Sequence, residues 1–422
     1  MPVSRERVAV IGSGVAGLTA AYLLRRRYEV VLFEADDRLG GHADTHDVLT
    51  PAGRLIGVDS GFIVHNERTY PNLIRLFGEL GVSTADTEMS MSVRCDGCGL
   101  EYAGARGLAG LFAQPTNLAR PRYLRLLAEI PRFHRQARAL LAGPGTDDLT
   151  LGAFLAAGHY SRYFVDHFVL PVVSSVWSAD QETSRRYPAR YLFTFLQRHG
   201  LLSVTGSPTW RSVVGGSRTY VQRVAKNLDA VHTGTPVRAV HRGPDGVLVR
   251  DDADHSHAVD RVVLATHPDQ ALRLLADPTD AEQSALGAFR YSRNETWLHS
   301  DTSVLPRARA AWASWNHLKP DCHTDGGAVG VSYHMNRLMR LTEPVDYVVT
   351  LNATDRIAPA TVLAKMVYEH PIYTPKSVAA QRELPRLNDG VTAFAGAYHG
   401  WGFHEDGCAA GVRAAESLGV SW

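Results

Sequence analysis

The chain has 422 residues, of which 45% are hydrophobic and 21% charged, as is typical of a globular protein long enough to form two domains. A formal net charge of +1 argues against a polyanionic partner, so no nucleic-acid binding is expected. No run of about 18 apolar residues is present and no signal peptide precedes the first predicted strand, so we expect no transmembrane segment and a cytoplasmic location.

The first predicted elements are a buried strand, a glycine turn and a helix, in the segment VAVIGSGVAGLTAAYLL. Its GxGxxG pattern is typical of a dinucleotide site: Gly12 permits a tight turn, Gly14 lets the backbone approach a pyrophosphate, and Gly17 lets the helix pack on the strand. The phosphates would lie at the helix N-terminus, where free N–H groups and the helix dipole favour anions. The expected cofactor contacts of this turn are Gly12, Ser13, Gly14, Val15, Ala16 and Gly17.

The next predicted strand, YEVVLFE, ends in Glu34, whose carboxylate is placed to accept hydrogen bonds from a ribose. The segment ADDRLGGHA follows. Together these patterns resemble the flavin-binding segment of the superfamily of amine oxidases, protoporphyrinogen oxidases and phytoene desaturases. The resemblance implies non-covalently bound FAD, contacted by Glu34, Ala35, Arg38, Gly40 and Gly41. The superfamily usually has a further arginine where this chain has His42, which we expect to contact the cofactor as a group that can be neutral.

The segment VDSGFIVHNERTYPNL, which begins at Val58, carries a group of polar side chains directly after a buried strand. The resemblance implies that it passes near the flavin ring. We expect cofactor contacts from Asp59, Gly61 and Phe62, a catalytic role for His65, and substrate contacts from Asn66, Arg68 and Tyr70. The alternative is a solvated loop in which Arg68 pairs with Glu67.

The segment CDGC, Cys95 to Cys98, has the spacing of a zinc knuckle, but no second pair follows at a suitable distance. The pair Asp96–Gly97 is typical of a hairpin turn. The remaining cysteines are Cys322 and Cys408, and so few cysteines indicate a reducing compartment. We therefore predict a hairpin here and no metal site.

Residues 105–200 show helical patterns, with prolines at 121, 131 and 171 that mark helix starts or kinks. Many of their side chains are aromatic or aliphatic. Core packing explains this composition, and a narrow apolar tunnel for a chain-like substrate is the alternative.

The chain is then expected to return to the nucleotide domain, which favours FAD over NAD as the cofactor. Within residues 233–275 a hairpin, with its turn at Gly243–Gly246, precedes the buried strand RVVLAT and a helix. The resemblance implies that Val237 lies beside the adenine and Ala265 near the dinucleotide.

Residues 290–375 instead show strand patterns, typical of a substrate domain with a mostly antiparallel sheet. His334 and Asn336 in this region are substrate-side candidates, although ordinary satisfied polar residues give the same pattern. Flavin amine oxidases often place a lysine near the flavin on a strand of this domain. The corresponding segment here, FRYSRNETW, has arginines instead, which argues against amine oxidation.

The segment GAYHGWGFHEDGCAAGVRAA, which begins at Gly396, resembles the closing motif of the superfamily, in which a helix N-terminus faces the flavin pyrimidine ring. A helix N-terminus stabilises the negative charge of a reduced flavin. We expect cofactor contacts from Gly396, Glu405, Asp406 and Gly407, although Asp406 is equally typical of a helix cap. The catalytic candidates here are Tyr398, His399, Trp401 and His404, since a histidine or an aromatic face suits the chemistry beside a flavin.

The predicted fold is α/β, with a Rossmann-like FAD-binding domain of the glutathione-reductase type interleaved with a substrate domain. The FAD-binding domain is assigned to residues 1–75, 205–289 and 390–422. The substrate domain is assigned to residues 76–204 and 290–389, with a helical insertion at about 105–200. Motifs such as YEHPIY and GFHEDG are most similar to a bacterial subfamily of oxidoreductases that are often encoded beside methyltransferases of the cyclopropane-fatty-acid-synthase type.

The predicted function is an FAD-dependent oxidoreductase of the oxidase or desaturase type, which removes hydride from a C–H bond of a small or lipid-like, fatty-acyl substrate. A double-bond isomerase without net redox change and a flavin amine oxidase are the alternatives. O2 is the candidate electron acceptor. A peripheral membrane contact and a choice between monomer and homodimer stay open.

Overall fold

The computed structural model describes residues 5–144, 148–203, 206–322 and 330–422. The strands in chain order are β1 (Arg7–Ile11), β2 (Glu29–Phe33), β3 (Thr45–Leu49), β4 (Leu55–Asp59), β5 (Val64–Asn66), β6 (Thr84–Thr87), β7 (Met91–Cys95), β8 (Leu100–Gly104), β9 (Trp210–Val213), β10 (Ala230–His232), β11 (Val237–Gly243), β12 (Gly246–Asp251), β13 (Ser256–Val259), β14 (Arg261–Leu264), β15 (Arg290–His299), β16 (Trp315–Lys319), β17 (Gly330–His334), β18 (Val348–Leu351), β19 (Val362–Ile372) and β20 (Thr392–Phe394). The helices are α1 (Val15–Leu24), α2 (Pro71–Leu80), α3 (Gly107–Leu111), α4 (Pro121–Ala142), α5 (Leu151–Ala157), α6 (Arg162–Phe164), α7 (Leu170–Trp177), α8 (Gln181–Arg186), α9 (Ala189–Arg198), α10 (Arg218–Ala225), α11 (Pro268–Leu274), α12 (Asp280–Leu286), α13 (Met335–Leu338), α14 (Pro375–Ala380) and α15 (His404–Ser417).

A parallel sheet with the strand order β10-β2-β1-β14-β20 forms the nucleotide-binding half of the molecule. Its central strand alternates between two cores. Val8 and Val10 pack with α1 and α15, while Ala9 and Ile11 pack with the β11–β12–β13 hairpin layer. Because both faces are covered, β1, β2 and β14 are apolar after their charged first residues, Arg7, Glu29 and Arg261.

The closest helix packing of this half joins α1 to α15. A Cβ added at Gly411 would lie 2.4 Å from the carbonyl oxygen of Ala16, and one at Gly407 would lie 2.7 Å from the Val15 side chain. The small residues of the sequence AAGVRAA therefore allow the two helix backbones to approach each other.

The second half is built on a seven-stranded sheet with the order β19-β15-β18-β17-β16-β7-β8. Its pairs are antiparallel except for β16 and β7, so the predicted mostly antiparallel sheet is confirmed. Helices α3 to α9 pack against β7 and β8 through a large aromatic and aliphatic core. Pro121 begins α4, whereas Pro131 lies inside it and does not end it.

The predicted α/β fold is thus confirmed. The strands of the parallel sheet all come from the three segments assigned to the FAD-binding domain, but the domain boundaries themselves stay a prediction, and the one between residues 204 and 205 lies outside the described residues. In the part of the chain that the structure describes, no helix is both long and apolar enough to cross a membrane.

Candidate functional site

A cavity of about 1300 Å³ lies between the carboxyl ends of the parallel strands and the seven-stranded sheet. Open parallel sheets bind ligands at this edge. The volume exceeds the roughly 300–1000 Å³ of a typical small-molecule site, so a cofactor and a substrate can share it. The predicted cofactor residues that line it are Gly12, Ser13, Gly14, Val15, Ala16, Glu34, Ala35, Arg38, Gly41, His42, Gly61, Phe62, Val237, Ala265 and Gly396.

The glycine turn has the geometry that its sequence predicts. Gly12 has a φ of +101°, and a Cβ there would lie 2.7 Å from the Ala265 carbonyl oxygen. A Cβ at Gly17 would lie 1.9 Å from the Gly12 carbonyl oxygen, whereas no atom lies within 4 Å of the same position at Gly14. The turn is therefore packed where the helix meets the strand and open where a pyrophosphate would approach.

Two charged side chains are anchored at the cavity wall beside this turn. The Glu34 carboxylate accepts hydrogen bonds from the Ser13 hydroxyl and from the Ser13 backbone N–H, the latter at 2.8 Å. The Arg38 guanidinium donates to the Gly41 carbonyl oxygen at 2.9 Å and lies 3.3 Å from the Asp44 carboxylate. Glu34 therefore fixes the turn in place while its carboxylate faces the position expected for a ribose.

His42 is a neutral ring in the cavity wall. Burial, followed by the charges of His370 and His267, lowers the pKa of His42 well below its usual value. Its ring centroid lies 5.0 Å from that of Tyr368 and 5.4 Å from that of His370. Its buried Nε2 has no hydrogen-bond partner among the described residues and is therefore available to a polar group in the cavity.

The first residue of α15 also reaches the cavity. His404 stacks on Phe62 with a centroid distance of 3.7 Å and an interplanar angle of 6°. Its Nε2 lies 2.7 Å from the Tyr220 hydroxyl, and burial lowers the pKa of His404 to about 3. The N-terminus of α15, where the helix dipole is positive, therefore borders the cavity, and the side chain that lines the cavity there is the uncharged ring of His404.

A family model described as flavin containing amine oxidoreductase matches residues 15–297. The chain belongs to this family. The predicted FAD cofactor and oxidoreductase class are those of the family and are confirmed at that level.

Relatives and solved structures extend this finding. AofH of Mycobacterium tuberculosis, by its name a flavin-containing monoamine oxidase, is 29% identical over an alignment of 294 residues, and the alignment covers 64% of this chain and 59% of that protein. The chain thus matches only 59% of the length of this curated relative. The fold is similar to that of a putrescine oxidase variant, with a TM-score of 0.70, 16% identity and 99% of both chains covered. It is also similar to that of a fatty acid isomerase from P. acnes that produces CLA, with a TM-score of 0.66, 13% identity and coverage of 96% of this chain and 97% of that one.

The residues present fit a bound flavin dinucleotide. The open Gly14 position, the Glu34 carboxylate and the unpaired His42 Nε2 are the features that a pyrophosphate, a ribose and a polar cofactor atom would use. When bound, FAD supplies the acceptor for hydride chemistry. The chain's own residues would hold the cofactor in this cavity and shield it from water.

Some predicted cofactor residues lie behind the cavity wall and act structurally. Gly17 and Gly407 provide close packing, and Gly40 precedes the cavity-lining Gly41. Asp59 accepts hydrogen bonds from Thr45 and from the backbone N–H of Ser217, the latter at 2.9 Å, and so ties β4 to the start of α10. Burial raises the pKa of the Asp59 carboxyl to about 6.

The two acidic residues of the closing motif, Glu405 and Asp406, also have structural roles. Glu405 accepts hydrogen bonds from the backbone N–H groups of Asn72 at 3.1 Å and Leu73 at 3.0 Å, which are free N–H groups of α2. Asp406 accepts one from the backbone N–H of Phe403 at 2.9 Å, so the helix-cap interpretation of Asp406 describes its geometry. Neither side chain lines the cavity, because both are used to join the starts of α2 and α15 to their surroundings.

Of the predicted substrate residues, only Tyr70 lines the cavity. Asn66 accepts backbone hydrogen bonds from Arg68 and Thr69, both at 3.0 Å, and Arg68 itself reaches outward to the Gly206 carbonyl oxygen. These hydrogen bonds form a local turn. Asn66 and Arg68 therefore fit the alternative interpretation, a loop, better than a role in substrate contact.

The other two substrate candidates lie away from the cavity. His334 Nε2 lies 2.9 Å from the Asp346 carboxylate. Asn336 accepts from the Tyr347 backbone N–H at 2.7 Å and donates to the Val345 carbonyl oxygen at 2.8 Å. Both hold the loop between α13 and β18 and behave as structural polar residues, although Nδ1 of His334 is buried without a hydrogen-bond partner among the described residues.

Only some of the predicted catalytic residues line the cavity. Tyr398 and His404 line the cavity, whereas His65, His399 and Trp401 do not. Burial lowers the pKa of His65 to about 4 and that of His399 to about 3, so neither has the near-neutral pKa that favoured histidine as a proton carrier. The Trp401 ring instead lies against the Arg198 guanidinium, 4.8 Å from its centroid.

The structure adds a polar cluster that the sequence analysis did not nominate. His267 stacks on Tyr291 at 4.0 Å, and its Nδ1 lies 3.3 Å from the Glu369 carboxylate. Burial and the charge of His267 lower the pKa of His370 to about 4. These four residues line the cavity. Two of them lie in the YEHPIY motif, so the signal was present, but only the fold reveals which side chains face inward.

The remaining wall is apolar and comes from the helical insertion. The insertion residues that line it are Leu111, Leu127, Ile130, Pro131, Phe133, His134, Phe168, Val169, Val172, Val173, Val176, Trp177, Phe195 and Leu196. His199 of the insertion also lines the cavity, and burial lowers the pKa of both His134 and His199 to about 4, so both rings are uncharged. This part of the cavity offers no charge to a ligand and favours a hydrocarbon portion.

Proposed function

We propose that this chain is an FAD-dependent oxidoreductase that removes hydride from a C–H bond of a lipid-like, fatty-acyl substrate, of the oxidase or desaturase type. FAD is proposed to bind non-covalently; Cys408, the cysteine of the closing motif, is buried in α15 against the Thr19 hydroxyl and does not line the cavity, so it is not available for a thioether link. O2 is the proposed electron acceptor, and the substrate leaves with one additional double bond.

The observation that carries this proposal is the continuity of the cavity. The glycine turn and the apolar wall of the helical insertion belong to one cavity of about 1300 Å³. A long hydrocarbon chain matches this wall because burying apolar surface stabilises binding by about 25 cal/mol per Å². A small hydrophilic substrate would leave the wall without a partner.

Amine oxidation is the alternative that the names of the relatives favour. Two observations on the described residues argue against it. No lysine is among the residues that line the cavity. The ring of Tyr398 packs on Phe289 and His399, neither of which lines the cavity, so core residues rather than a second cavity-lining ring hold it in place.

Double-bond isomerisation is the second alternative. Its support is the similarity in fold to the fatty acid isomerase, which extends over 96% of this chain. An isomerase would need the same apolar wall, but hydride would return to the substrate and no external acceptor would be consumed.

Anaerobic mixing of the yellow holoenzyme with fatty acids, acyl esters and amines distinguishes the three reactions. Bleaching of the flavin by a fatty-acyl compound, with a product two hydrogens lighter, is expected. A product of unchanged mass would replace the proposal by isomerisation, and bleaching by amines alone would replace it by amine oxidation.

A matched pair of variants on α4 tests the apolar wall. Leu127 lines the cavity, whereas Leu124 on the same helix is 42% exposed. We expect Leu127→Gln to raise KM for a fatty-acyl substrate by about tenfold, as expected for a loss of 1–2 kcal/mol of apolar contact, while Leu124→Gln leaves it unchanged. Equal effects of the two substitutions would contradict binding along this wall.

A further inference from the structure

Four side chains with metal-binding atoms meet at one point of the substrate-binding half, remote in sequence from the flavin motifs. Cys95 and Cys98 come from the β7–β8 hairpin, His167 from the π-helical turn Val165–Val169, and Cys322 from the segment after β16. Their ligand atoms all lie within 4.8 Å of one another. The sequence analysis expected no metal because no second cysteine pair follows CDGC, but the fold supplies the missing partners from two other segments.

Two of the six ligand-atom separations match those of a tetrahedral zinc centre, and the other four lie within 4.8 Å. The sulfurs of Cys95 and Cys322 are 3.7 Å apart, and Cys98 Sγ lies 3.6 Å from His167 Nε2. Zinc bonds of about 2.3 Å to sulfur and about 2.05 Å to nitrogen, at the tetrahedral angle, place two sulfurs about 3.8 Å apart and a sulfur and a nitrogen about 3.6 Å apart. A disulfide would instead require about 2.05 Å between the two sulfurs.

The surroundings of His167 direct the correct nitrogen at the cysteines. Its Nδ1 lies 3.1 Å from the Tyr163 carbonyl oxygen, an acceptor, so Nδ1 carries the proton and Nε2 presents a lone pair. The Tyr102 hydroxyl donates to the His167 carbonyl oxygen at 2.7 Å and fixes the backbone of the same residue. This carbonyl–histidine arrangement is the usual support of a metal-bound imidazole.

The hairpin turn is built to bring its two cysteines to Cys322. A Cβ at Gly97 would lie 2.8 Å from the Asp321 Cα and 2.9 Å from the Cys322 nitrogen, so only glycine allows this approach. The predicted hairpin is present, with Cys95 paired to Leu100 across a four-residue loop rather than a two-residue turn.

We propose that Cys95, Cys98, His167 and Cys322 together bind a structural Zn²⁺ ion. Three thiolates and one imidazole fill all four tetrahedral positions, so the ion has no open site for catalysis. Lys319, three residues before Cys322 at the end of β16, is buried.

The metal would fasten the helical insertion to the seven-stranded sheet. His167 lies on a π-helical turn, a feature that often occurs at functional sites, and its neighbours Phe168 and Val169 line the apolar wall of the cavity. The ion therefore holds the wall at a fixed distance from the sheet without contacting the substrate.

Metal analysis of the holoenzyme tests this proposal independently of catalysis. We expect about one zinc per chain after purification without chelators, and a visible spectrum of tetrahedral, thiolate-bound Co²⁺ after exchange with CoCl2. Cys98→Ser should lose the zinc, whereas Cys408→Ser, which replaces the buried cysteine outside the cluster, should retain it. Removal of zinc from the wild-type protein should lower Tm and expose the cluster thiols to a thiol reagent while the flavin stays bound.

The result that overturns the proposal is also defined on the wild-type protein, so it does not depend on the folding of a variant. Protein grown with added zinc that contains no zinc and develops no Co²⁺ spectrum would exclude the site. A mass spectrum of the native protein with a Cys95–Cys322 disulfide would exclude it as well.

Discussion

The side-chain amide of Asn294 donates a hydrogen bond to Nδ1 of His370 over 3.0 Å. The direction of this bond is fixed, because the Asn294 amide oxygen accepts from the Asn352 side chain at 2.7 Å and its nitrogen must face the ring. Nδ1 of His370 is therefore an acceptor, and Nε2 carries the proton. His370 lines the cavity and is neutral, so it offers an N–H donor to a ligand there.

Replacing Asn294 with Asp should reverse this arrangement. A carboxylate accepts only, so Nδ1 would become the protonated nitrogen, and the adjacent negative charge should raise the pKa of His370 by about 1–3 units. NMR of protein labelled with ¹⁵N-histidine, with His370→Gln to assign the signals, measures both effects. An unchanged tautomer in Asn294→Asp would contradict the assignment.

Glu34 should control FAD affinity. Glu34→Gln removes the charge that accepts from the Ser13 N–H and faces the ribose, and a lost charge-assisted hydrogen bond of about 1.5–3 kcal/mol corresponds to about 10–100-fold weaker binding. Glu34→Arg should bind more weakly still. Glu29→Gln, at the exposed start of the same strand, is the control and should leave the Kd for FAD unchanged in fluorescence titrations. Equal affinities of the Glu34 and Glu29 variants would contradict the ribose assignment.

Replacement of Gly14 and of Gly17 by alanine should affect different properties, FAD binding in the first case and stability in the second. At Gly17 the new Cβ would lie 1.9 Å from the Gly12 carbonyl oxygen, so the apoprotein should lose stability, by more than about 2 kcal/mol. At Gly14 no atom lies within 4 Å of the new Cβ, so the apoprotein should keep its Tm while FAD binding weakens. Thermal unfolding and FAD titration of both variants separate the two effects, and a destabilised Gly14→Ala apoprotein would contradict the open approach to the pyrophosphate.

Buried neutral histidines should make the fold sensitive to acid. Burial lowers the pKa from 6.5 to about 3 or 4 in His65, His134, His199, His299, His317, His370, His399 and His404. The unfolded chain then binds more protons than the folded one between pH 6.5 and these values. The contribution of these histidines to the free energy of unfolding is therefore complete above pH 6.5 and decreases as the pH is lowered toward 4.

Three buried carboxyls oppose this trend. Burial raises the pKa of Asp59 to about 6 and that of Asp406 to about 7, and it also raises the pKa of Glu405, so each binds its proton more tightly in the folded state. They are outnumbered by the histidines, so a net loss of stability in acid remains. Urea unfolding between pH 4.5 and 8 measures it, on the order of 1.4 kcal/mol per unit of pKa shift for each group. His299→Gln should flatten the dependence, whereas His241→Gln, at an exposed position, should not.

The sequence alone determined the nucleotide-binding half of this protein. The glycine turn, Glu34 at the end of β2 and the hairpin before β14 were all placed correctly, because each is encoded by residues close together in the chain and demands one local backbone geometry. The flavin family followed from the same local patterns.

Only the tertiary structure decided which side chains act together. Glu405 and Asp406 stand in the expected motif, yet they cap the starts of α2 and α15, because those free N–H groups are their nearest partners. His370 faces the cavity, and His167 and Cys322 join Cys95 and Cys98, through contacts between segments far apart in sequence. Such proximity depends on how sheets and helices pack, which no local pattern encodes.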